Sequence, residues 1–238
     1  VTASDRPVLD DERIARYARQ LLVPGFGAAG QERLAAARVR VVGAGPAAGP
    51  ALVYLLQAGV GRIWIEDPDM VAPPDLTAWL HAPGAVGAPR GEAAVAALEG
   101  KSRFVAVELH PGGGVPTAAL VCASSPELTL SAAEVSRRAG IPHVVADPDG
   151  EGGCVVTVPP GRPCYACNRF PGATGRPVTA AAAAVGALAA LQLLQLLADP
   201  PGEGRRIDVV RGAPLARPTA SQPGCACAGG KAAASGRP

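Results

Sequence analysis

Four cysteines stand at spacings that hold metals. Cys164-Tyr-Ala-Cys167 is a C-x-x-C in a proline-flanked turn, and Cys225-Ala-Cys227 is a C-x-C further along the chain. Two such knuckles could make a tetrahedral thiolate site for Zn²⁺ that staples the C-terminal segment to the turn. The other readings are a redox pair or unrelated free thiols. A redox C-x-x-C opens a helix after an early strand, which this one does not. Cys122 and Cys154 fall in apolar, strand-like runs and read as packing. His81, His110 and His143 stand alone in sequence and read as structural.

A second set lies earlier. Gly43-Ala44-Gly45 interrupts an apolar run, Ala51, Leu52, Leu55 and Leu56 follow at helical spacing, and a strand then ends at Glu66-Asp67-Pro68-Asp69. A glycine turn at a helix N-terminus leaves backbone N–H groups free to hold phosphate. An acid at the end of the next strand can accept from a ribose hydroxyl. The stretch reads as a nucleotide-binding βαβ unit with a G-x-G-x-x-A turn, Ala48 in the third place. Any parallel crossover built on a glycine turn would look similar.

The elements that carry these residues alternate. A first helix with Ile14, Tyr17, Leu21 and Leu22 on one face and a short second helix over 28–37 precede the glycine-turn strand. Strands near 103–108, 118–123 and 142–146 alternate with helices over 90–98 and 128–139. That order predicts an α/β fold: a Rossmann-like, mostly parallel sheet with helices on both faces. Cys154–Val158 and Arg206–Val210 read as a C-terminal antiparallel extension, with the last strand at the edge. One domain over 1–228 and a disordered tail over 229–238 are expected. A hydrophobic fraction of 48% supports a real core, and a net charge of +2 with dispersed basic residues gives no footprint for nucleic acid. Val178–Ala198 is about as long and apolar as a membrane span. Gln192 and Gln195 interrupt it and no basic cluster flanks it, so it reads as a buried helix rather than an anchor. No apolar leader opens the sequence, which points the cysteines to metal or catalysis and the protein to the cytoplasm.

The opening Arg16-Tyr17-Ala18-Arg19-Gln20, then Gly25-Phe26, Gly30-Gln31, Leu34, the glycine turn, Ala58-Gly59-Val60-Gly61 and Asp67-Pro68-Asp69 resembles the ThiF/MoeB-type activating enzymes, relatives of the ubiquitin-activating enzymes. VPPGRPCYAC and PGCAC match that family's two zinc knuckles. The resemblance covers about residues 12–228. It implies binding of ATP and Mg²⁺, and adenylation of the C-terminal Gly-Gly carboxylate of a small ubiquitin-like or sulfur-carrier protein. It also implies that Gly43 and Gly45 line the phosphates, that Asp67, with Asp69 beside it, serves the ribose, and that Arg19 is supplied across a homodimer.

The same resemblance exposes departures. Where the family carries N-L-x-R-Q, this chain has Asp75-Leu76-Thr77-Ala78-Trp79. The family lysine before the next helix is Arg90, which keeps charge but not shape. The magnesium aspartate falls on Ser125, which offers no carboxylate. No cysteine stands in the loop after Cys167. The expectation is therefore an adenylyltransferase scaffold with weak or lost activity, Glu66 or Asp69 being the first substitutes to examine for the metal. The alternative is a non-catalytic scaffold that binds a carrier protein or an active paralogue.

Overall fold

The computed structural model describes residues 9–78, 80–161, 163–169, 177–199, 204–210 and 213–229. Asp10 caps the first helix, α1 (Asp11–Leu21), by accepting from the Arg13 N–H at 2.8 Å. Helix α2 (Gly27–Ala36) leads into β1 (Arg38–Val42), and the glycine turn sends the chain into α3 (Ala48–Ala58) and then β2 (Arg62–Glu66). The rest follows as α4 (Arg90–Leu98), β3 (Ala106–Leu109), β4 (Ala118–Val121), α5 (Pro126–Arg138), β5 (His143–Asp149), β6 (Gly152–Val158), α6 (Tyr165–Asn168), α7 (Thr179–Ala198), β7 (Arg205–Val210) and β8 (Ala213–Pro218).

These strands form a single sheet in the order β3-β2-β1-β4-β5-β6-β7-β8. β3 to β5 pair in parallel, with Val41 of β1 opposite Ile65 of β2 and Leu120 of β4. β6, β7 and β8 continue it antiparallel. β4 and β6 are buried at every position, and a parallel strand such as β4 must be covered on both faces in such folds. Helices α3, α4 and α7 bury Leu52, Leu55, Ala94, Val185 and Leu193 on one face. α5 and α6 bury Ala132, Ala133 and Tyr165 on the other.

Much of the opening motif is a packing node. Gly59 ends α3 in the left-handed region at φ 86°, and a Cβ there would sit 2.6 Å from the Tyr17 ring and 2.8 Å from Gln31 Nε2. Gln31 is fully buried and donates to the Ala58 carbonyl at 2.9 Å. Tyr17, Gln31 and Gly59, which lie far apart in sequence, thus lock α1 and α2 to the far end of α3.

Two expectations are corrected. The strand beginning near Arg206 is not the sheet edge, because β8 pairs along its whole length. β3 starts at Ala106 rather than near Arg103. Helix α7 meets the length and apolarity of a membrane span, with half of that window buried. It packs on α3, α2, β4, β5 and β6. The tail expected to be disordered lies, from residue 230, outside the described residues.

Candidate functional site

The order in which strands are added reverses between the parallel neighbours β1 and β4, and open α/β sheets bind ligands in the crevice at that point. A cavity of about 280 Å³ lies there, lined by Gly45–Ala47 after β1, Cys122–Pro126 after β4, Ala146–Pro148 of β5, and Pro74 and Asp75. This is near the lower limit of roughly 300–1,000 Å³ for small-molecule and cofactor sites. Gly43 makes the turn possible: its φ is 101°, and a Cβ would collide with the Cys122 carbonyl.

The turn is held by side chains. Asp67 Oδ2 accepts from the Ala44 N–H at 2.6 Å, and Asp67 Oδ1 from the Asp69 N–H at 2.9 Å. His81 Nε2 donates to the Ala44 carbonyl at 2.8 Å from a buried position in a proline-rich loop. Arg90, the first residue of α4, reaches into the same cluster. Its Nε meets Asp67 Oδ2 at 2.8 Å, and its NH2 group meets Asp69 Oδ2 at 2.7 Å, Asp67 Oδ1 at 3.1 Å and Ser124 Oγ at 3.1 Å. Its remaining NH1 group faces Asp75, with both carboxylate oxygens at 3.3 Å. Asp75 in turn accepts from the Ala72 N–H, so its own short loop fixes it. The Arg90, Asp67 and Asp75 side chains are 6%, 0% and 6% exposed. Burial disfavours the guanidinium charge, but hydrogen bonds and charge from Asp67 and Asp75 outweigh that and hold Arg90 above its ordinary pKa.

Each residue singled out in the sequence now has a place. Gly43, Gly45, Asp67, Asp69 and Arg90 come together at the turn. Ser125 lines the cavity, but its hydroxyl caps α5 by accepting from the Leu128 N–H at 3.1 Å. Glu66 points elsewhere and pairs with Arg40 at 2.8 Å. Arg19 is exposed on α1, which packs at the end of α3 opposite the glycine turn, about 16 Å away along that helix. Ala78 ends a 3-10 helix over Pro73–Ala78. Trp79 lies outside the described residues. Around the glycine turn, three carboxylates meet one guanidinium among the described residues. A triphosphate needs the opposite balance, so these residues as arranged do not fit the phosphates of ATP.

The cysteines do converge. Cys164, Cys167, Cys225 and Cys227 place their sulfurs within 4.8 Å of one another, and this set could hold a metal ion. The shortest separations are 3.6–3.7 Å. A regular tetrahedron of zinc–sulfur bonds of about 2.3 Å has edges of about 3.8 Å. Polar bonds reinforce the staple: Asn168 donates to the Ala220 carbonyl at 3.1 Å and accepts the Ala220 N–H at 3.0 Å. Cys122 and Cys154 are buried, and burial pushes both thiols up to about 12, away from reactivity.

Sequence reasoning missed two participants, Ser124 and Asp147, and read a third, His81, as structural without its partner. Ser124 donates to Asp69 Oδ2 at 2.5 Å. His81 anchors the turn. Asp147 lines the cavity and accepts from the hydroxyl of Tyr165, the residue beside Cys164, at 2.7 Å. None has a spacing signal, because long-range packing assembles them.

Such a sheet, with a glycine turn at the reversal of its strand order and a cysteine staple on its extension, defines a Rossmann-like α/β class. The model of the ThiF family matches residues 17–220, and the chain belongs to that family. Over 103 residues, 43% of the chain, it is 40% identical to the probable adenylyltransferase/sulfurtransferase MoeZ of Mycobacterium tuberculosis H37Rv, and the match spans 26% of that protein. It is 31% identical to the SAMP-activating enzyme E1 of Haloferax volcanii over 170 residues, 67% of this chain and 63% of that protein. The crystal structure of E. coli MccB with ATP superposes with a TM-score of 0.73 at 17% identity, covering 96% of this chain and 77% of that one. At that identity the likeness is one of fold.

Proposed function

We propose that this chain is a ThiF-type module that receives the C-terminal Gly-Gly tail of a small ubiquitin-like or sulfur-carrier protein at the glycine-turn cavity, with its own adenylation of that tail weak or lost. One observation carries this reading. The position of the family's magnesium carboxylate is Ser125, and its hydroxyl is committed to capping α5. A cavity of about 280 Å³ suits a short tail without side chains. The catalytic set implied by resemblance, Arg19 and Arg90, is divided: Arg90 is enclosed by carboxylates and Arg19 stands about a helix length away. A role for Arg19 therefore requires a second copy, and we include a homodimer in the proposal. Zn²⁺ at the four cysteines is its structural metal, and four thiols in that state go with the reducing cytoplasm.

The second reading, a non-catalytic partner of an active paralogue, draws on the same charge balance. Calorimetric titration with a carrier ending in Gly-Gly, and with the same carrier lacking those two residues, tests the docking. Binding that depends on the tail is expected. Equal binding of both, or none of either, contradicts it.

A further inference from the structure

Arg90 and Asp75 differ in what they face. Asp75 lines the cavity, whereas Arg90, whose NH1 group Asp75 holds, does not. Both groups come within 4 Å of where a Cβ on Gly45 would be: Asp75 Oδ1 at 3.6 Å and Arg90 NH1 at 3.7 Å. Asp67, Asp69 and Ser124 occupy the Nε and NH2 side of the guanidinium, and Asp75 takes the NH1 side. An anion at a glycine turn binds through backbone N–H groups and a free cation. Here the cation is present but shielded.

We propose that Asp75 is the specificity-determining residue of this site: it captures the NH1 group of Arg90 as an internal ion pair and so makes the cavity select against polyphosphates. The sequence alone suggests repulsion between Asp75 and phosphate. The geometry points instead to withdrawal of the one cation found at the turn among the described residues. The inference rests on the glycine-turn cavity being the ligand site, as in the proposed function.

Asp75→Asn is the test, because asparagine keeps an oxygen for the Ala72 N–H while Asp67 and Asp69 still hold the arginine. Mg·ATP and inorganic tripolyphosphate are titrated calorimetrically into the unmodified protein, D75N, R90Q and D75N/R90Q. Capture predicts that D75N tightens both probes by about tenfold or more, and that R90Q abolishes the gain. A gain that survives R90Q means simple repulsion and overturns the proposal, as does the absence of any gain. R90Q leaves buried carboxylates unpaired and risks unfolding. The Arg90 Nε–H resonance of D75N therefore gives an independent reading. It must shift when tripolyphosphate is added, and it must stay fixed in the unmodified protein. A fixed resonance in D75N, or a shifting one in the unmodified protein, overturns the capture. Neither measurement uses a carrier, so carrier docking can fail while this result stands.

Discussion

Ser125 caps α5 at the position where the resemblance places the family's magnesium carboxylate. Its hydroxyl satisfies a free N–H at the start of α5, a task aspartate performs about equally well. Ser125→Asp is therefore expected to change stability by less than about 1 kcal/mol. Ser125→Asp together with Ala78→Arg should raise Mg·ATP affinity more than either alone, because both act on one triphosphate; calorimetry of the three variants checks this. His143 supplies a pH dependence. Its Nδ1 bonds to the Ile141 carbonyl at 2.9 Å while Nε2 is buried without a partner among the described residues, so the neutral ring is the stable one. Burial holds its pKa below the ordinary 6.5. The unfolded chain then binds the proton more readily, so stability is complete above pH 6.5 and falls as the pH drops towards the folded-state value. The slope should approach, at most, about 1.4 kcal/mol per pH unit, and His143→Phe should remove it in denaturant titrations. Of these residues, Asp67 and Arg90 were legible from their places in a motif. His81 and Asp147 were not, since their partners lie in distant elements.

At the scale of elements, the first five strands were readable because short β-branched or alanine-rich runs alternate with helical periodicity. β8 was not. Its sequence, Ala-Pro-Leu-Ala-Arg-Pro, has two prolines and an exposed Leu215, which suits only an edge that need not donate from every residue. That edge in turn moved β7 into the interior. The staple between α6 and the C-terminal segment was legible as four cysteines, whereas its Asn168–Ala220 bonds were not. The staple carries its own prediction. Cys225→Ser should lower the bound metal in elemental analysis and reduce Tm by roughly 5–10 °C, because the metal's binding energy is folding energy. Full metal content and an unchanged Tm would remove the metal from this account.

At the scale of the whole molecule, several exposed apolar residues of the described chain, Leu22, Val23, Tyr54 and Leu191, belong to the turn after α1, to α3 and to α7. Tyr54, Leu191 and Leu194 line one broad hollow with Gln20, and Val23, Phe26 and Leu191 line a second. Leu22, Tyr54 and Leu191 are 82%, 54% and 50% exposed. A second copy seated on this face would cover them and bring a foreign α1 into play. Sedimentation at micromolar concentration is expected to give a dimer, and Leu191→Arg a folded monomer. A monomeric unmodified protein would leave Arg19 without a role. The central claim concerns chemistry rather than assembly. In the proposed function the family's scaffold is kept, while the positions that the resemblance assigns to Mg·ATP are Ser125 and Ala78, and Arg90 is enclosed by carboxylates. ATP–pyrophosphate exchange by the unmodified protein, with Mg²⁺ and a Gly-Gly carrier, tests it most directly. The account predicts exchange at or barely above background, since losing a single preorganised charge already costs about two to three orders of magnitude in rate. Brisk, carrier-dependent exchange would contradict it.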